Sequence, residues 1–240
     1  DTTLMEGEID EVTVTAFRTP YNLFNTPAPV NLISTVQLES GSALTPVEAL
    51  NQVPGVLMHH GTLNTNRLTI RGIGSRTPYA TNKIKAYFGE IPLTSGDGET
   101  TLEDLENPAI SRVEIIKGPA SSLFGAGLGG VILFHPKSVT KDFVQNRATL
   151  ASFGTIKNSL SAGINHNKLN IYTLGSWLKS DGFRQNNTTN RGNFLLNSQY
   201  SFSENTNLQV LLKATKMKAF IPSSLNWPTF QESPEQAASN

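Results

Sequence analysis

The sequence predicts a small α+β domain followed by antiparallel β-strands that each carry one apolar and one polar face. Three observations carry that reading. Up to about Lys137 the chain has short strand-like runs, Pro and Gly punctuation and one marked helix, whereas beyond it period-two alternation takes over. Only 16% of the 240 residues are charged, below the roughly 25% usual in soluble domains, so the polar surface is made mainly of uncharged groups. The 19 basic and 19 acidic residues cancel, which leaves no global field to attract nucleic acid.

In the first region, Thr45-Pro46-Val47-Glu48 reads as an N-cap, a first-turn proline and a capping-box glutamate. The helix it opens runs through Ala49 to Val53, stops at Pro54-Gly55, and buries Val47, Leu50 and Val53. Short strands are expected around residues 67–71, 84–88, 112–117 and 130–134. Between the last two, Gly125, Gly127 and Gly130 spell a G-x-G-x-x-G. A dinucleotide cradle needs a helix to open there, but Val131-Ile132-Leu133-Phe134 is a β-branched and aromatic run closed by proline, which is a strand. The better reading is one compact helical turn over Ala120 to Phe124, then glycines that let the backbone reverse into the next strand.

In the second region, residues 156–165 place mostly apolar side chains at even positions and polar ones or Gly at odd positions, and residues 194–202 and 208–214 alternate in the same sense. The strand near 168–178 alternates poorly, with Tyr172, Leu174 and Leu178 on one side and Ile171 and Trp177 on the other. Tight turns near 165–168 and 203–206 and a long polar loop near 181–190 complete the pattern of an outer-membrane β-barrel wall. A soluble β-sandwich can imitate that pattern.

Several chemistries are set aside. Without cysteine there are no disulfides or thiolate sites. No apolar run approaches the roughly 18 residues of a membrane-spanning helix. Asp1 to Gly7 lacks the regions of a signal peptide, as expected of a processed or cytosolic chain. The histidines at 59, 60, 135 and 166 form no recognisable catalytic set, so no enzymatic activity and no cofactor are expected.

Val53-Pro54-Gly55-Val56, Ile70-Arg71-Gly72, the run Ile110 to Gly125 and Gly129-Gly130-Val131-Ile132 stand in the order and spacing of one family. The chain resembles the plug domain of TonB-dependent outer-membrane receptors over residues 10 to 137, closest in flavour to the ferric-siderophore and ferric-citrate receptors. The resemblance implies a periplasmic tail over 1–20, a plug over 21–138, and over 139–240 the opening strands of an incomplete 22-stranded transmembrane barrel. It implies a transporter in the outer membrane of a Gram-negative bacterium, in contact with outer-membrane lipid, that imports a ferric siderophore, ferric citrate or a similar metal chelate.

The family's energy-coupling segment, the TonB box, is matched by Glu11-Val12-Thr13-Val14-Thr15-Ala16. Such a β-prone hexamer can add as a strand to a partner's sheet edge, and an ordinary edge strand of the plug is the other reading of the same residues. Ligand contacts are implied in outward loops over 58–66, 75–83 and 94–99, which offer His59, His60, Thr62, Asn64, Asn66, Arg76, Tyr79, Thr94, Ser95 and Asp97. Arg76 suits an anionic chelate and Tyr79 can stack on it. His59 and His60 are adjacent on an extended chain and point apart, so they do not chelate one ion, and no resident metal is expected. Asp97 and Glu99 resemble part of a calcium site found in some members.

Arg71 and Arg112 are implied to meet wall glutamates, with Glu114 and Lys117 joining that network. A local ion pair within the plug is the alternative. About a hundred residues follow the plug, enough for about five strands, so the remaining wall is expected from a separate or missing segment. The competing function is a secreted or surface β-rich binding module without transport.

Overall fold

The computed structural model describes residues 13–15, 21–22, 26, 28–63, 65–76, 81–95, 99–125 and 127–238. The first region contains β1 (Thr13–Val14), β2 (Tyr21–Asn22), β3 (Val30–Ser34), α1 (Thr35–Ser40), α2 (Val47–Asn51), β4 (Val56–Thr62) and β5 (Thr65–Ile70). It continues through β6 (Ile84–Phe88), β7 (Ile91–Pro92), β8 (Ile110–Lys117), α3 (Ser121–Phe124) and β9 (Gly130–Pro136). The second region is β10 (Phe143–Ala151), β11 (Thr155–His166), β12 (Leu169–Ser180), β13 (Thr189–Ser203) and β14 (Thr206–Ala219), followed by α4 (Trp227–Glu232).

The plug is built on a mixed sheet in the order β3-β8-β9-β6-β7, in which only β6 and β9 run parallel. Both faces of its central strands are covered, which is why β8 and β9 read as near-continuous apolar runs. Val113, Ile115, Ile132 and Phe134 pack with Leu38, Leu50 and Met58 in the main core, while Ile116, Val131 and Leu133 meet Ala120 and Phe124 on the other face. A bulge between Ile110 and Arg112 shifts the β8 register, so Ile110 joins the main core and Arg112 turns to the opposite face with Glu114.

The helix at Thr45 differs from its expected cap. α2 starts at Val47 with Pro46 at the N-cap and no side-chain cap bond, and Glu48 instead accepts from the Ser42 amide at 3.3 Å. Thr45 is buried, and its carbonyl accepts from Asn107 at 3.2 Å. The capping box forms one helix earlier, where Ser34 and Gln37 bond reciprocally at the start of α1. The expected outward loop over 58–66 is instead largely the β4–β5 hairpin, pairing His59 with Arg67 and His60 with Asn66.

The glycine loop folds as read: α3 is a single turn closed by amides of Leu123 and Phe124 donating to Ala120 O. Gly130 then starts β9 at φ 142°, where a Cβ would collide with the Ile116 carbonyl oxygen.

The wall strands form an antiparallel meander, β10-β11-β12-β13-β14, not closed on itself. Its burial is inverted relative to a soluble sheet. On β11, Lys157, Ser159 and Ser161 are buried, whereas Ile156, Leu160 and Ile164 are 44%, 51% and 49% exposed. Trp177, Phe194, Leu208, Val210 and Leu212 continue the exposed apolar face. An apolar face turned outward and a polar face turned onto the plug is the pattern of a wall in lipid. The poor alternation of β12 has a local cause: Tyr172 and Leu174 face inward and join the plug core, where the Tyr172 hydroxyl donates to Pro108 O at 2.7 Å.

Candidate functional site

Two clusters fix the plug. The first joins it to the wall. Lys157 on β11, Leu178 on β12 and Arg191 on β13 stand in one cross-strand row on the inward face. That row, with Asn193 one step along β13, meets Glu106 of the plug. Lys157 Nζ lies 2.6 Å from Glu106 Oε2, Arg191 Nη2 lies 3.3 Å from Oε1, and Asn193 Nδ2 donates to Oε1 at 2.6 Å. Lys157, Arg191 and Glu106 are all buried, so each charge depends on the others for stabilisation in place of water. Arg191 also donates to the Glu103 carbonyl, and Lys213 on β14 pairs with Asp104 at 2.6 Å. Glu106 is held in place by its neighbour Asn107, whose side-chain amide donates to the carbonyls of Leu38, Ser42 and Thr45.

Among the described residues this plug–wall junction uses none of Arg71, Arg112, Glu114 and Lys117. Plug carboxylates meet wall cations. Arg112 instead makes a local pair with Glu114 at 2.8 Å, Lys117 donates to Pro54 O, and Arg71 is exposed at φ 51°. Burial, with the Arg71 charge beside it, pulls the Lys117 ammonium below the ordinary lysine range.

The second cluster surrounds the candidate coupling segment. Arg112 pairs across the strands with His135, which places Arg112, Glu114 and His135 on one face of the sheet. The Glu114 side chain is fully buried. The Thr15 amide donates to both of its oxygens, at 3.0 and 3.2 Å, Arg112 Nε donates to Oε1, and His135 Nε2 lies 3.1 Å from it. Burial alone would raise this carboxyl; the hydrogen bond and charge of His135, then Arg112 and the Thr15 amide, hold it below the usual carboxylate range. Val14 is fully buried, and β1 pairs with β2. Glu11, Val12 and Ala16 lie outside the described residues.

The third group is the expected ligand set. His59, His60, Arg76 and Ser95 are exposed and Thr62 is half-buried. Thr94 bonds Thr100 at 2.9 Å, and the Ser95 hydroxyl donates to Glu99 O at 3.0 Å, so both close their own loop. Asn66 is buried, and its side-chain amide has no hydrogen-bond partner among the described residues. Asn64, Tyr79 and Asp97 lie outside the described residues. Among the described residues no group of three or more His, Asp or Glu side chains is placed to hold a metal ion.

Residues 22–131 match the TonB-dependent receptor plug domain family. An iron-regulated outer membrane virulence protein of Vibrio cholerae is 35% identical over 111 residues, covering 45% of this chain and 17% of that protein. A hemin receptor of Yersinia pestis is 29% identical over 52% of this chain and 18% of its own length. Among solved structures, the siderophore receptor PiuA of Acinetobacter baumannii superposes with a TM-score of 0.67 at 21% identity, over 88% of this chain and 29% of that one. The pyoverdine receptor FpvA of Pseudomonas aeruginosa gives 0.69 at 15% identity, over 85% and 27%. The chain therefore spans less than a third of the length of these relatives.

Proposed function

We propose that this chain, whose residues 22–131 match the TonB-dependent receptor plug domain family and whose second region is five wall strands, is the N-terminal part of an outer-membrane transporter that imports a ferric chelate. The observation that carries the reading is the inverted wall. Its apolar face suits lipid, and its polar face is fastened to a plug by the Glu106 cluster. A plug seated against the wall bars passive diffusion, so import needs work done on the plug. We assign that work to TonB pulling on Glu11 to Ala16. Iron chelates fit the relatives, which include an iron-regulated outer membrane virulence protein, a hemin receptor and a probable siderophore receptor. His59, His60, Thr62, Asn64, Arg76, Tyr79 and Asp97 are the proposed outward ligand contacts, while Thr94 and Ser95 shape their loop.

The test uses the full-length receptor in cells. Ferric siderophores, ferric citrate, hemin and cobalamin are compared for binding and uptake. A ferric chelate is expected to bind, and binding of cobalamin alone would overturn the iron reading. Val14→Pro removes an amide donor from the segment that must pair with TonB. Uptake is expected to fall to background with surface binding unchanged, and normal uptake by this variant would defeat the coupling assignment.

A further inference from the structure

We propose that Lys179, Lys216 and Lys218 form a binding site, on the lipid-facing side of the wall, for a phosphorylated lipid headgroup of the outer leaflet. The inference rests on the outward face of the wall lying in lipid, and a receptor that imported something other than a ferric chelate would leave it standing. The five wall strands contain no Asp or Glu, so their seven Lys and Arg side chains find no counter-charge within the wall. The four that face inward are each met by the plug. Arg147 lies 3.6 Å from Glu39, Lys157 and Arg191 share Glu106, and Lys213 pairs with Asp104. The three that face outward are not. Lys179, Lys216 and Lys218 are exposed, and among the described residues none of them has an ion-pair partner. Their counter-charge comes from outside the chain.

The strand register brings the three lysines together. Lys179, Asn190 and Lys218 stand in one cross-strand row, and Trp177, Gly192 and Lys216 stand in the next. Neighbouring strands lie about 4.8 Å apart and same-face residues about 7 Å apart along a strand, so three ammonium groups spaced by about 10 Å can converge on one headgroup. Gly192 leaves a notch between Trp177 and Lys216, since a Cβ there would meet nothing nearer than Ser176 O at 3.9 Å. The Trp177 indole N–H donates to Asn190 Oδ1 at 3.0 Å, which fixes one side of the notch, and Lys218 Nζ lies 5.4 Å from the centre of the Phe220 ring. The next outward rows are uncharged, Gly175 with Phe194 and Thr173 with Leu196 and Leu212, and the face ends near the aromatic pair Tyr200 and Phe202. Gly192 and Phe202 are ten residues apart on β13, about 34 Å along a strand and roughly 24 Å across a bilayer at the usual tilt, which matches the apolar band between the two aromatic girdles of such walls. The long loop 181–188 adjoins the lysine end, the tight turns 167–168 and 204–205 adjoin the other, and long loops are the extracellular ones. The lysines therefore sit at headgroup level in the outer leaflet. Ammonium groups at that depth recognise phosphate through charge-assisted hydrogen bonds, each contributing on the order of fivefold in affinity for an anionic membrane surface.

The experiment uses the full-length receptor purified in a neutral detergent and titrated with lipid A carrying both of its phosphates, the bound lipid being counted by native mass spectrometry. Saturable binding is expected. Replacing any one of the three lysines by Gln should weaken it about fivefold, and replacing all three about a hundredfold. Replacing all three by Arg should restore it, because the charge and the phosphate-bonding donors are kept. Gly192→Leu, which fills the notch and keeps every charge, should weaken binding severalfold, and Lys168→Gln, at the opposite end of the wall, should leave it unchanged. Heat-resistant migration on gels reports whether each variant is folded. Binding that is unchanged in the folded triple Gln variant or in folded Gly192→Leu would overturn the site. So would equally tight binding of lipid A stripped of its phosphates. Displacement of the bound lipid by inorganic phosphate alone would make this a site for a soluble anion and overturn the lipid assignment.

Discussion

At the scale of single residues, buried charge decides most of what is specific to this chain. Glu106 neutralises two buried wall cations at once, so removing it strands Lys157 and Arg191 without a counter-charge. Glu106→Ala is expected to destabilise the plug–wall junction by about 3–5 kcal/mol, readable as a lowered urea midpoint of the purified receptor in detergent. Arg71→Ala, at an exposed position, should change it by less than about 0.5 kcal/mol. Glu114 makes the Thr15 contact pH-dependent. The groups that face its carboxylate are Arg112 from β8, His135 from β9 and the Thr15 amide from β1. Its carboxyl is depressed in the folded plug, so the contact is at full strength above the ordinary glutamate value of 4.5 and weakens as pH falls through the lower, folded-state value.

At the scale of elements, what was legible in the sequence was local. The β11 alternation, the helical turn before Gly125 and the strand after Gly130 depend on neighbours a few residues apart, and periodicity and glycine placement report them directly. The capping box at Ser34 and Gln37 was equally local and was overlooked, whereas the one expected at Thr45 failed because Thr45 is drawn into the bonds around Asn107. The Glu106 cluster was illegible. Arg191 and Asn193 lie 85 and 87 residues along the chain from Glu106, and no periodicity links a plug carboxylate to these wall side chains. The segment at Thr15 shows the same limit, since its donor and acceptor are 99 residues apart. Gly130 offers a test at this scale. Gly130→Ala places a methyl on the Ile116 carbonyl and should prevent a stably folded plug, while Gly175→Ala, with nothing near its added methyl, should leave the melting temperature close to that of the parent. Thermal melts of the two purified variants decide it.

At the scale of the whole molecule, the wall and plug make sense only together. The outward face of the wall is too apolar for water, and its inward face carries the buried cations Lys157 and Arg191, which need Glu106 of the plug. Two contacts fall on different parts of the plug: Thr15 is tied to Glu114 on β8, and the wall grips the 104–106 stretch. All of this depends on which way the wall faces. The most direct measurement is spin-label accessibility along β11 of the full-length receptor in a lipid bilayer, scanned with oxygen and with a water-soluble nickel chelate. Labels at Ile156, Leu160 and Ile164 should collide with oxygen dissolved in lipid and be shielded from nickel, while labels at Lys157, Ser159 and Ser161 should be shielded from both. Strong nickel collisions at the three apolar positions would contradict the account.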